Sequence, residues 1–326
     1  MKRKGDGETI MAKGLKATLT VVLALAVPAL ALYFYFPGFI LDCVKQVLRW
    51  QAGLTRHTVQ VDDHRWVYLE GGTGETILFI HGFGMEKDGW GLFLKAFSTS
   101  HRLIVPDLPG FGENSRSESA DYGVPSQVKR LNRFVETLGL NRFHLIGSSM
   151  GGYIAGYYAS EYPEKVTSLA LFNSAGVSSP IPSDMWRRHA ERGEIALLYK
   201  TREGFEDLLT LLFYRVPLVP GPFKNYFAEL GASNYVFYGR VLRDLERGGM
   251  HQLESRLPRV EARTLVLWGA NDRILHVSGA ERFREGLKNV KVVILDQCGH
   301  VPFFEKRAET IKAYQDFLAG VNSKIQ

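Results

Sequence analysis

Cysteine is scarce: Cys43 and Cys298 are the only two in 326 residues. That number excludes a disulfide framework. The two stand in unlike contexts, one beside a long apolar run and one beside a histidine, so no pairing is expected. Charge of one sign is also in short supply. The chain carries a net +6, but Lys2, Arg3, Lys4, Lys13 and Lys16 against Asp6 and Glu8 put half of it in the first 16 residues. A surplus of three over the remaining 310 gives no electrostatic footprint for nucleic acid. Long apolar runs are limited to one, which excludes a membrane protein of many spans. Low-complexity tracts and internal repeats are missing too, and 45% of residues are apolar, so a disordered chain is excluded. No Cys/His spacing resembles a zinc site, and no cofactor is expected.

The single apolar run covers residues 17–41, reading ATLTVVLALAVPALALYFYFPGFIL without one charge. At about 1.5 Å per helical residue it is long enough to cross a hydrocarbon core of about 30 Å. Pro28 is expected to kink that helix, which membrane helices tolerate. Tyr33 and Tyr35 sit near its far end, as interfacial aromatics do. Lys13 and Lys16 precede it and bias that flank to the cytoplasmic side, leaving the catalytic part on the other side. Lys45, Arg49 and Arg56 on the far flank weaken the bias. A cleavable leader would end at Ala29-Leu30-Ala31, but the run continues through Phe36, which favours an uncleaved anchor.

Beyond residue 57 strands and helices alternate. Strands are expected over 57–62, 65–70, 76–80, 102–105, 143–146, 166–172, 264–268 and 290–295. Helices are expected over 126–138, 150–162, 278–287 and 307–318, the first because Val128, Leu131, Val135 and Leu138 recur every three or four residues. This rhythm predicts a mainly parallel sheet with helices on both faces. It breaks over 177–258, where Pro180, Pro182, Pro217, Pro220 and Pro222 punctuate helical stretches. The chain therefore divides into a basic tail (1–16), an anchor (17–41), a connecting segment (42–56), a first core part (57–176), a helical lid (177–258) and a second core part (259–326).

The chemistry is expected at four turns. Gly147-Ser148-Ser149-Met150-Gly151-Gly152 follows a strand and opens a helix, the context of a G-x-S-x-G nucleophile elbow. Ser149 has glycine two residues to either side. Ser148 would have Ile146 and Met150, which cannot fit, so Ser149 is the candidate nucleophile. His81-Gly82-Phe83-Gly84 follows the third strand. Its Phe83 N–H, with that of Met150 after the nucleophile, is placed to receive an oxyanion. His81 itself is expected to hold the loop. The chain order of such sites is serine, acid, histidine. His300, directly after the last strand, is the candidate base, ahead of His189, His251 and His276. Asp272, after the 264–268 strand, is the candidate acid, with Asp296 as its rival.

These marks together resemble the α/β-hydrolases of the lipase and esterase branch. They are His81 to Gly84 with Lys87, Asp88 and Trp90; Asp107 to Gly112; Gly147 to Gly152; Trp268-Gly269 with Asp272; and Gly299-His300 with Glu305. With the apolar run, the chain is similar to membrane-anchored monoacylglycerol lipases and to related bacterial lipases. The resemblance implies hydrolysis of carboxylic esters through an acyl-enzyme, without a cofactor, on monoacylglycerol or another ester lipid drawn from a bilayer. Arg307 stands where the family often has proline, and residues 177–258 match least.

Within that lid, Phe205, Leu208, Leu209 and Leu212 form one helical face, widened by Leu211, Phe213 and Val216. Such a stripe either packs over the site or dips into a bilayer. Leu212 and Phe213 are the candidate substrate-contacting lip. Two rivals remain on the same scaffold: a short-chain carboxylesterase and a carbon–carbon bond hydrolase. Epoxide hydrolases and haloalkane dehalogenases need a carboxylate where Ser149 stands. A third rival, an inactive binding scaffold, is disfavoured by a full serine–acid–histidine set.

Overall fold

The computed structural model describes Thr18, Val22 and residues 24–62 and 64–322. The basic tail and part of the apolar run, residues 17, 19–21 and 23, lie outside the described residues.

Eight strands form one sheet: β1 (Leu54–Val61), β2 (His64–Gly71), β3 (Thr76–Ile80), β4 (Arg102–Pro106), β5 (Phe143–Ser148), β6 (Val166–Phe172), β7 (Arg263–Gly269) and β8 (Val290–Leu295). Their order is β1-β2-β4-β3-β5-β6-β7-β8. β2 pairs antiparallel with β1 and β4, and every pairing from β4 to β8 is parallel. The expected strands all form, most of them within a residue or two. The central ones are continuous apolar runs because helices cover both faces.

The helices are α1 (Ala24–Tyr35), α2 (Pro37–Gln51), α3 (Leu92–Lys95), α4 (Val124–Thr137), α5 (Met150–Glu161), α6 (Asp184–Arg192), α7 (Arg202–Leu212), α8 (Gly221–Arg247), α9 (Gly279–Gly286), α10 (Pro302–Glu305) and α11 (Arg307–Asn322). On one face of the sheet, α4, α5 and α9 bury Leu131, Phe134, Ile154, Tyr158 and Phe283. Trp66 stacks on Phe134 there, with centroids 4.5 Å apart. On the other face Trp90, Phe93, Phe97, Tyr314 and Phe317 form an aromatic layer under α3 and α11. Each large side chain removed from water contributes about 1.5–3 kcal/mol, so the two layers hold the strand ends rigidly in place.

The amino-terminal region departs from expectation. The helix runs through Pro28 without a break. It breaks instead at Phe36, where α1 and α2 meet at 98°. Pro37 is the cause: it excludes the helical conformation for the residue before it, and Phe36 takes φ −130°, ψ 49°. Among the described residues no single helix is long and apolar enough to cross a membrane; α1 and α2 reach that measure only as a bent pair. Residues 42–56 are not a simple connection either. They are helical to Gln51, and β1 begins at Leu54. Apolar residues at Ile40, Leu41, Val44, Val47 and Leu48 give α2 its helical period.

α2 is fastened to the globular part by charge. Arg49 donates from Nε and Nη2 to the two carboxylate oxygens of Asp88, each at 2.6 Å. Lys45 pairs with Glu86 at 2.7 Å. α1 is joined to α8 by an aromatic contact: Tyr33 meets Phe223 edge to face at 5.9 Å. A side chain at Gly38 would meet the Tyr226 ring at 2.7 Å.

Between β6 and β7 the described chain contains α6, α7 and α8 with no strand, as expected for residues 177–258. Ser183 and Thr201 cap α6 and α7 by accepting from Trp186 and Gly204. Pro222 lies in the first turn of α8, where its missing N–H costs nothing.

Candidate active site

Ser149 stands at the sharp turn between β5 and α5 with φ 55° and ψ −121°, a conformation unfavourable for any residue with a side chain. Its surroundings hold it there. Its N–H donates to the Phe172 carbonyl at 2.9 Å, and its own carbonyl accepts from Tyr153 and Ala175, each at 3.1 Å. Three glycines make the turn possible. A β-carbon at Gly147 would strike the Gly151 backbone, one at Gly151 would strike the carbonyls of Ile80 and His81, and one at Gly152 would strike Ser174. The register argument that chose Ser149 over Ser148 therefore has its structural basis in direct backbone contact across β3, β5 and α5.

The loop after β3 passes beside Ser149: a side chain at Gly82 would meet Ser149 Cβ at 3.2 Å. His81, fully buried, holds that loop. Its Nε2 accepts from the Leu108 N–H at 2.9 Å, so Nδ1 carries the proton and donates to the Gly82 carbonyl at 2.8 Å. Burial pushes its pKa down, in keeping with a neutral ring. Phe83 lines the cavity next to Ser149, and Met150 begins α5, so both oxyanion candidates border the candidate nucleophile.

Lys87, also fully buried, secures the far side of the same loop. Its Nζ donates to Asp107 at 3.1 Å and to Glu113 at 2.7 Å, and its N–H donates to Asp107 at 2.7 Å. Asp88 lies 3.3 Å from the same ammonium and carries the bond from Arg49. Burial alone would raise the Glu113 pKa, but its hydrogen bonds with Arg56 and Lys87 outweigh that and hold it at about 2. The family marks at Lys87, Asp88 and Asp107 thus form one ionic lattice from α2 to the candidate oxyanion loop.

His300 follows β8, and Asp272 follows β7. His300 Nδ1 and Asp272 Oδ2 are 2.7 Å apart, and both residues are buried. The expected acid is therefore the hydrogen-bonded partner, and Asp296 is not. Asp272 is itself held firmly. Its Oδ1 accepts from the N–H groups of Ile274 and Leu275 at 2.9 and 3.0 Å, and its Oδ2 accepts from Asn173 Nδ2 at 2.6 Å. His276 instead pairs through Nδ1 with Ser278 Oγ at 2.9 Å.

One contributor, Asn173, escaped the sequence reading, and another, Glu305, was named there without a role. Asn173, at the carboxyl end of β6, has φ 43°, a conformation asparagine tolerates better than most residues. Its amide bridges Asp272 and the Gly299 carbonyl. The signal was a polar residue following the apolar run 169–172 at the edge already carrying the other candidates. Glu305 accepts from Gly299, Tyr214 and Arg215 at 2.7, 3.2 and 2.7 Å. It ties the histidine loop to the end of α7. Cys298, two residues from His300, is a buried free thiol whose pKa burial pushes up to about 12, so it offers no thiolate.

Ser149 and His300 open into the same cavity, with a volume of about 400 Å³. Its walls come from the β3 loop, α7, α8 and α10, including Leu208, Leu209, Phe227, Leu230 and Phe303. No Asp, Glu, Lys or Arg lines it among the described residues. Leu212 and Phe213 are part of that wall and half-buried. The Leu212 carbonyl accepts the His300 N–H at 2.7 Å. The outermost apolar residue of this region is Leu218, 96% exposed, with Val216 beside it.

Residues 75–307 match the model of a family described as the alpha/beta hydrolase fold. A solved membrane phospholipase A, described as a bacterial virulence factor, superposes with a TM-score of 0.85 at 42% identity. That match covers 94% of this chain and 99% of that one. The monoacylglycerol lipase ABHD6 of Bos taurus is 31% identical over 314 residues, covering 92% of this chain and 93% of its own. Lipase 1 of Psychrobacter immobilis is 34% identical over 257 residues, 78% of this chain and 80% of its own.

Proposed function

The chain belongs to the α/β-hydrolase fold family, and from that premise we propose that it is a serine hydrolase of membrane lipids, cleaving the carboxylic ester of a monoacylglycerol. The observation that carries this reading is the cavity: an uncharged, largely apolar chamber reached by both Ser149 and His300. An acyl chain suits such walls, and a glycerol head needs no fixed charge.

In this reading Ser149 Oγ attacks the ester carbon while His300 Nε2 takes its proton. The N–H groups of Phe83 and Met150 receive the oxyanion, where one well-aimed donor is worth about 3–4 kcal/mol. His300 then protonates the departing alcohol, and water attacks the acyl-enzyme by the reverse path. Asp272 fixes the tautomer that leaves Nε2 free and stabilises the imidazolium. Asn173 and the two backbone N–H groups keep Asp272 aimed.

The helical insert serves as a lid whose exposed tip, Val216 to Leu218, meets the bilayer. α1 and the apolar residues before it form the anchor. α2 lies along the interface with Phe39, Val47 and Trp50 outward, all exposed. The weak basic bias of the amino-terminal flank supports a catalytic part on the non-cytoplasmic side.

A second reading has a specific support: the 42% identity to a membrane phospholipase A favours an acyl ester of a phospholipid. Hydrolysis rates on long-chain monoacylglycerol, a diacyl phospholipid and a short p-nitrophenyl ester, each with Ser149→Ala as blank, decide between them. Preference for monoacylglycerol supports the first reading and preference for the phospholipid the second. Serine-dependent turnover of the short ester alone would reduce the function to a general carboxylesterase.

A further inference from the structure

At the edge of the sheet opposite Ser149, three side chains with metal-binding atoms converge. Glu75 stands one residue before β3, His101 one residue before β4, and His144 is the second residue of β5. Those strands are neighbours in the order β4-β3-β5. The pairings Thr76↔Arg102 and Ile77↔His144 bring the three to one level. One ligand atom from each, a carboxylate oxygen and two ring nitrogens, lies within 4.8 Å of the others. His144 Nε2 faces Glu75 Oε2 at 3.5 Å. The two imidazoles meet edge to face, with centroids 6.0 Å apart.

Each ring is also held from behind. His144 Nδ1 pairs with Ser168 Oγ on β6 at 2.8 Å, and His101 Nδ1 pairs with Ser100 Oγ at 2.8 Å. A serine hydroxyl that accepts the Nδ1 proton leaves Nε2 as a free lone pair. This is the outer-shell arrangement that orients metal-ligating histidines. We propose that Glu75, His101 and His144 bind one divalent transition-metal ion, Zn2+ by the chemistry of the donor set, with solvent completing its coordination.

Two imidazoles and one carboxylate suit a borderline ion, and Ca2+ or Mg2+ would demand more oxygen donors. Ligands on zinc bonds of about 2.0–2.1 Å lie roughly 3.4 Å apart in a tetrahedron. The cluster must therefore contract, and it has the means. Glu75 is 54% exposed and His101 half-buried, so both can change rotamer while buried His144 stays fixed. The open side next to Glu75 admits water. The ion would link the amino ends of three adjacent strands. It would sit roughly 16 Å from Ser149, five strand residues along β5. Its role is then structural: it stiffens the sheet under the active site and takes no part in the chemistry.

The test uses the untagged full-length protein in detergent, stripped with a chelator and titrated with Zn2+ by calorimetry and by thermal melting. The expected result is one binding event and a Tm that rises with free Zn2+. Glu75→Gln and His101→Ala each weaken binding at least about tenfold and lose the Tm response, while Ser149-dependent ester hydrolysis stays unchanged. His251→Ala, which removes an exposed histidine elsewhere, keeps both. Absence of binding by the wild type, or binding undiminished in both ligand variants, overturns the proposal.

Discussion

The two ends of strands β3 and β5 are built on opposite principles. At their carboxyl ends the backbone is forced: Ser149 is left-handed, and Gly147 and Gly151 are pressed against neighbouring main chain. At their amino ends the pairing of β5 with β6 shifts register between Phe143 and His144, and the side chains of Glu75 and His101 meet buried His144 with room to adjust. Strain is tolerated where the proposed nucleophile must be presented, because the aromatic layers below over-determine the loop. The opposite edge carries no such demand, and what gathers there serves stability. Damage at one end should therefore alter chemistry, and damage at the other should alter melting.

The largest effect that would sharpen this contrast is at Ser149. Ser149→Ala should lower kcat on a long-chain monoacylglycerol by roughly 10⁴–10⁶-fold with the fold retained by circular dichroism. A residual rate within tenfold of wild type would break the contrast at its catalytic end. Gly151→Ala comes next. Its β-carbon would enter the carbonyls of Ile80 and His81, so unfolding by urea should reveal a loss of about 3 kcal/mol. Full stability would mean that the turn is looser than described. Asn173→Ala removes a donor from the Asp272 carboxylate. A hydrogen bond to a charged group is worth about 1.5–3 kcal/mol. A fall in kcat of roughly 10–100-fold with little change in KM is expected, and a change confined to KM would contradict the positioning role.

These effects bear on how much was readable in advance. The central strands were legible because most are short apolar runs ended by glycine, proline or asparagine. Ser149, Asp272 and His300 were legible because the elbow dictates which serine fits and the strand ends dictate which acid and histidine follow. Two things were not. Asn173 acts through one hydrogen bond, and no motif marks it. Glu75, His101 and His144 are separated by tens of residues, and only the β4-β3-β5 order makes them neighbours; a search for ligand spacing cannot find such a cluster. The break at Pro37 was available, since the residue before a proline leaves the helix, but uniform hydrophobicity concealed it. Leu212 and Phe213 line the cavity shared by Ser149 and His300, while Leu218 is the residue of this region that faces outward.

Two smaller effects complete the series. The Glu113 carboxyl titrates at about 2 in the folded protein against an ordinary value of 4.5. A group depressed in this way stabilises the fold above its unfolded pKa and loses that contribution as the pH falls toward the folded value. Stability should decline between about pH 4.5 and 2, and Glu113→Gln should flatten that part of the urea–pH profile. An unchanged slope would remove Glu113 from the lattice. Because Glu113 is 39% exposed, solvent screens the effect and its size stays modest. Leu218→Glu should slow hydrolysis of lipid presented in vesicles and leave a short soluble ester untouched; equal loss on both would place Leu218 in folding and not at the bilayer.

The most direct test of the central claim is labelling of the full-length protein with a fluorophosphonate, followed by mass spectrometry of its peptides. The account predicts a single adduct on Ser149, absent from Ser149→Ala and strongly slowed in His300→Ala. Adduct formation on Ser148 or another residue, or none at all on folded protein, would contradict it.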